Sequence, residues 1–286
     1  MEALWDFNDA PASEERFRQF LTQGVSDQAR LEGSTQLARA LSLQRRIPEA
    51  HEILDEIKPE ISPRTRQEIR WLLEKGRTLN SSGEPEQAKP LFVKAWQIGS
   101  EISEQALAVD AAHMVAIVAE SEEQISWNEK ALDVARVSSD PKAQKWRASL
   151  LNNLGWTYYD LKEFERALGM FQEARELRVQ REQPIEERIA RYCVAKCLRA
   201  MGRVDEALEL QLSVIRDAGD GGTAGYPEEE VGECLLLKGE TDRARESFKK
   251  AVSLFETNHE LDQEPARLDR LRRLSAPNWD PNATQV

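Results

Sequence analysis

Residues 151–174 read LNNLGWTYYDLKEFERALGMFQEA. Leu151, Leu154, Gly155 and Tyr158 recur at helical spacing and share one face. A polar break, DLKEF, follows, and Ala167, Phe171 and Ala174 then line one face of a second helix. Small residues at Gly155, Ala167 and Ala174 let two helices approach closely, and the larger ones fill the space beside them. The spacing predicts an αα-hairpin whose apolar faces meet.

The pattern recurs along the chain. It gives Leu37, Ala38, Leu41, Ala50 and Leu54; then Gly76, Leu79, Ala88, Phe92 and Ala95; and Gly232, Leu235, Ala244, Phe248 and Ala251. Val194, Ala195, Leu198 and Ala207 fit a further copy in which Gln211 replaces the aromatic residue. A poorer copy holds Ala111, Ala112, Val115 and Ala131, with its second small slot near Ile125. The slots resemble those of the tetratricopeptide repeat, W-x2-L-G-x2-Y followed by A-x3-F, with Leu151 in the Trp position. Marker separations of 38 (Ala50 to Ala88), 40 (Ala167 to Ala207) and 37 (Ala207 to Ala244) exceed the usual unit of about 34. The resemblance implies an all-α chain: a right-handed αα-superhelix of about six helix-turn-helix repeats over residues 28–258.

Flanking segments complete the expected organisation. Residues 1–27 hold an amphipathic helix near 13–24, and 259–275 hold another near 261–274; a solenoid must cover its apolar ends, so both are expected caps. Residues 276–286 are expected to be disordered, or to lie along the solenoid through Trp279. Pro63, Pro141, Pro184 and Pro227 are each expected to open a first helix. The stretch 217–227, DAGDGGTAGYP, reads as a flexible connection; it lacks the Gly-Lys-Ser/Thr ending of a phosphate loop.

Composition narrows the function. The 286 residues carry 51 acidic and 39 basic side chains, a formal charge of -12. That surface repels phosphate backbones and anionic membranes, so neither nucleic acid nor membrane is an expected partner. The first twenty residues lack the pattern of a signal peptide. No run approaches the ~20 apolar residues of a bilayer span. Three cysteines suit a reducing compartment, and a cytoplasmic location is expected.

No catalytic constellation is legible. The three histidines fall in different repeats, and HExxH, Gly-x-Ser-x-Gly and Walker patterns are absent. Cys193 and Cys197 share a helical face but lack further ligands for a tetrahedral metal, so packing is their expected role. The acidic run Glu228–Glu230 reads as a helix-start charge favouring the dipole. Neither cofactor nor metal is expected, and the chain is not expected to be an enzyme.

A stacked αα-solenoid presents its first helices to the concave side. The expected groove residues are Asn152, Asn153, Trp156 and Tyr159, then Tyr192, Lys196 and Arg199, then Arg70, Glu74 and Arg77. Glu32, Gln36 and Arg39 come from the first unit, Asp110 and His113 from the third, and Tyr226, Glu229 and Glu233 from the sixth. Two amides and three aromatic rings suit an interface hot spot, and the cations would attract carboxylates. The resemblance implies a ligand-backbone contact at Asn153. Domains of this family that clamp chaperone tails use a Lys/Asn/Asn/Lys/Arg set; here Asn152 stands at the first Lys and Trp156 at the first Asn, which argues against that clamp. The expected function is a non-catalytic scaffold that binds a partner's peptide or helix in its groove. The alternative is a regulatory sensor for a small ligand or signalling peptide.

Overall fold

A computed structural model describes residues 1–219 and 224–279, Ser121 by its backbone alone. Among the described residues the regular elements are all helical. The chain divides into two compact units, Met1–Leu150 and Leu151–Val286.

In unit 1, α1 (Ala10–Leu21) precedes three hairpins: α2 (Asp27–Leu43) with α3 (Ile47–Ile57), α4 (Arg66–Ser81) with α5 (Pro85–Glu101), and α6 (Gln105–Val118) with α7 (Ser121–Val137). The short α8 (Pro141–Lys145) follows. The core runs through the hairpins as one cluster that includes Phe17, Leu41, Leu54, Ile69, Phe92 and Val115. Unit 2 takes up α9 (Arg147–Asp160) from Leu151 onward and pairs it with α10 (Phe164–Gln180). It continues with α11 (Pro184–Ala200) and α12 (Val204–Ala218), α13 (Gly225–Leu237) and α14 (Thr241–Asn258), and ends in α15 (Pro265–Leu274).

Every packing residue assigned to the opening stretch is buried: Leu151, Ala167 and Phe171 at 0%, Leu154 at 1%, Ala174 at 2% and Tyr158 at 3% exposure. One pairing rule governs the hairpins. Sixteen residues separate Gly76 from Phe92, Gly155 from Phe171 and Gly232 from Phe248. In each pair the ring lies against the glycine backbone: a Cβ at Gly76 would sit 2.5 Å from Phe92, and one at Gly232 2.6 Å from Phe248. At the same spacing stand Ala38 and Leu54, Ala112 and Asn128, and Ala195 and Gln211. Where the second helix offers no ring, the first helix carries alanine. This places the poor third copy: Asn128 fills the aromatic slot at 2% exposure, and Gln124 fills the small slot.

The hairpin turns share one bond. Arg46, Glu84, Glu163, Arg203 and Glu240 each donate a backbone N–H to a carbonyl five residues back, at 2.9–3.0 Å. That six-to-one closure requires a left-handed residue just before the donor. Gly83, Gly202 and Gly239 take that conformation freely; Arg45 and Lys162 take it at φ 63° and 62°. Between α6 and α7, Ala119 and Glu120 are extended instead, so the degenerate repeat also lacks the common turn.

Several expectations need correction. Pro141 opens only the five-residue α8. Pro63 lies ahead of α4, whose start is set by the Thr65 hydroxyl accepting from Glu68 N. Pro227 is the third residue of α13, which begins at Gly225; a Cβ there would meet the Ala251 carbonyl and the Phe255 ring at 2.8 Å. Within the expected flexible connection, 217–218 and 225–227 are therefore helical, while 220–223 lie outside the described residues. Of the tail, 280–286 lie outside them as well.

Candidate functional site

The first helices are stitched to one another by ion pairs on the face assigned to the groove. In unit 1, Glu74 of α4 is wholly buried and pairs with Arg77 at 2.7 Å and Arg39 at 3.7 Å. Arg77 also reaches Asp110 of α6, and Arg70 lies 3.4 Å from Glu32 of α2. Burial opposes ionisation of Asp110, yet the Arg77 and Arg39 guanidinium groups hold its carboxyl below the usual range. His113 lies under Trp146, ring centres 5.1 Å apart. Burial, despite Asp110 nearby, keeps its imidazole below its ordinary pKa.

In unit 2 the same device uses Glu230 of α13. Lys196 donates to it at 2.6 Å, and Arg199 at 2.7 and 3.2 Å. Burial opposes the Glu230 charge, but the Arg199 hydrogen bond and the Lys196 ammonium hold the carboxyl below its ordinary pKa. Glu229 and Glu233 pair with Arg267 and Arg270 of α15, at 2.7 and 2.6 Å. Glu228–Glu230 is thus more than a helix-start charge, because two of its three carboxylates hold neighbouring helices.

The cations named from sequence are therefore already matched by carboxylates of the chain itself. The amides and rings that the sequence assigns to the groove are differently placed. Asn152 accepts from the Cys193 thiol at 3.8 Å. Trp156 and Tyr159 meet edge to face at 5.5 Å, and each also packs inside its own hairpin, on Phe171 and Phe164. Asn153 is half-buried. Burial raises the Tyr159 phenol, which lies near Lys196 and Arg199.

A feature missed by the sequence reading completes the face. Ile185 and Ile189 are 62% and 56% exposed, one turn apart on α11 and in line with Tyr192, Lys196 and Arg199. With Arg188, Tyr192, Tyr226, Val214 and Pro227 they line a mostly apolar pocket of about 310 Å³. The row 185, 189, 192, 196, 199 is helical spacing that could have been read from sequence.

The cysteines are buried, and burial pushes the thiols up: Cys193 to about 12, Cys197 and Cys234 to about 11. Thiolate is the reactive form. The native chain is accordingly expected to resist a thiol-labelling reagent at pH 8 and to label fully in denaturant; rapid native labelling would contradict this burial. Among the described residues no group of three or more His, Cys, Asp or Glu is placed to hold a metal ion. No described helix is long and apolar enough to cross a membrane.

Two segments, 147–181 and 230–258, match sequence models described as tetratricopeptide repeat. The chain carries tetratricopeptide repeats. No curated protein sequence matches it. Solved structures resemble this repeat protein in fold at low identity. The apo form of RapI is 13% identical, with a TM-score of 0.76, over 97% of this chain and 79% of that one. A signal-transduction ATPase with a tetratricopeptide-repeat sensor, from Pyrococcus horikoshii, is 17% identical with a TM-score of 0.73. There 93% of this repeat chain aligns with only 42% of the ATPase. A Rap protein complexed with competence and sporulation factor is 16% identical, TM-score 0.65, over 96% and 78% of the two chains.

Proposed function

We propose that this chain is a non-catalytic interaction module, and that unit 2 holds a peptide or helix of a partner protein. The site would comprise Asn152, Asn153, Trp156 and Tyr159 of α9 with the Tyr192 face of α11. The observation that carries the reading is the apolar row Ile185–Ile189–Tyr192 opening on a pocket of about 310 Å³. Soluble surfaces seldom leave two isoleucines exposed beside such a concavity without a partner. Lys196 and Arg199 are matched by Glu230, so selection would rest on an apolar or aromatic side chain entering the pocket rather than on an acidic tail. In unit 1, Arg70, Arg77, Asp110 and His113 would act mainly as a pre-ordered frame.

A sensor reading has its own support. The pocket lies within the ~300–1,000 Å³ range of small-molecule sites, and one structural neighbour is an ATPase with a tetratricopeptide-repeat sensor while another is complexed with competence and sporulation factor.

Capture from source-cell extract tests both. Ile189→Asp, at an exposed position, is expected to lose the specific partner while keeping wild-type helical content. Val137→Asp, at an 83% exposed position in unit 1, is expected to retain it. Equal capture by both variants would remove the unit 2 site. A thermal-shift response to small molecules that Ile189→Asp abolishes would favour the sensor.

A further inference from the structure

Residues 1–9, MEALWDFND, are seated on the face of unit 1 that the sequence assigns to a groove. Met1, Leu4 and Trp5 pack against the unit 1 core, yet none of residues 1–9 is fully buried. Trp5 donates its indole N–H to Gln36 at 3.0 Å. Gln36 in turn is 3% exposed and reaches Glu74 at 3.5 Å, within the ion network of α2, α4 and α6. The rings of Trp5 and Phe7 stack in parallel, 4.8 Å apart. Arg39 lies over both, 5.6 and 5.4 Å from the ring centres, and Phe17 meets Trp5 from the edge at 5.2 Å. At the other end Glu2 pairs with Lys142 of α8 at 2.9 Å.

These contacts are those of a bound peptide rather than of a core element. A Trp-x-Phe pair grips one guanidinium, the indole bond to Gln36 and the two bonds between the Asp6 backbone and the Ser13 hydroxyl fix its depth, and an exposed ion pair adds little. Phe7 remains 64% exposed. Glu2 and Asp6 give the segment acidic punctuation.

We propose that this face of unit 1 is a second peptide-binding site, separate from the unit 2 pocket. It recognises a short, acidic-flanked segment with aromatic residues two positions apart, and residues 1–9, one 3-10 turn followed by a second turn, occupy it as a tethered competitor. A partner carrying the same pattern docks by displacing them. A short tether presents its segment at an effective concentration on the order of millimolar. A free peptide of similar strength therefore sees the site only in the open fraction, and its apparent affinity falls in proportion.

The test uses the full chain and a fluorescein-labelled peptide MEALWDFND, followed by anisotropy. The double variant Trp5→Ala/Phe7→Ala is expected to bind this peptide at least about tenfold more tightly than the wild-type chain does. A control peptide with alanine at both aromatic positions is expected to show no saturable binding. Equal affinity for wild type and variant, equal binding of the control peptide, or no binding to a variant with native helical content would each overturn the proposal. If the double variant loses its helical content, Phe7→Ala alone is measured instead. It is expected to shift affinity in the same direction by a smaller factor, and no shift would overturn the proposal equally.

Discussion

Glu230→Ala is expected to destabilise unit 2 by about 3–5 kcal/mol, the usual cost of removing one partner from a buried ion pair. The side chain is 3% exposed and accepts from Lys196 and Arg199, which are themselves only 19% and 20% exposed. Its removal leaves Lys196 and Arg199 of α11 without their hydrogen-bonded carboxylate on α13. Glu230→Gln keeps an acceptor of the same shape and should lose less. Replacing Glu230, Lys196 and Arg199 together with Met or Leu should approach neutrality, because desolvation is relieved along with attraction. The sign with pH follows from the lowered carboxyl. A depressed folded pKa contributes stability that is fully present above the unfolded value of about 4.3 and is lost as pH falls through the folded value. The deficit of Glu230→Ala should therefore be full at pH 7 and shrink in acid. Urea titrations at pH 7 and pH 3 measure it; an unchanged midpoint at pH 7 would show that the pair contributes nothing.

Phe171→Ala should cost a comparable 3–5 kcal/mol, because a fully buried ring leaves a cavity that α9 cannot fill. The informative experiment is the pairing with Gly155. Gly155→Ala alone gains about 1 kcal/mol of helix propensity but drives a methyl into the Phe171 ring, an overpacking of roughly 1–3 kcal/mol. Combined with Phe171→Leu it recreates the Ala38–Leu54 pair of the first hairpin. The double variant is expected to be more stable than the sum of the single losses, with a coupling of about 0.5–3 kcal/mol. Additive losses would mean that the sixteen-residue pairing is a coincidence of sequence.

That pairing also explains what could be read in advance. The hairpins were legible because their contacts are local. Gly155 and Phe171 meet across a single turn, so periodicity and turn residues determine them with no knowledge of the rest of the chain. The third hairpin was blurred for the same reason: Asn128 and Gln124 took the aromatic and small slots, and an extended link replaced the left-handed turn.

The groove was legible only as a set of positions. Helical phase placed Tyr192, Lys196 and Arg199 on one face, but phase says nothing about what the next helix brings opposite them. Glu230 lies 31 residues beyond Arg199, and Glu74 lies 35 beyond Arg39. Whether those cations are open to a ligand or matched within the chain depends on how successive repeats stack. Likewise the nine residues that precede α1 carry no periodicity, and only tertiary structure seats Trp5 on Gln36 and Arg39. Sequence alone thus determined the helices, their order and the residues that share each helix face, because short-range packing dictates them. Tertiary structure decided which residues on those faces are matched by the chain's own charges and which remain open. Such contacts join distant residues whose pairing free energy exists only once the repeats are stacked.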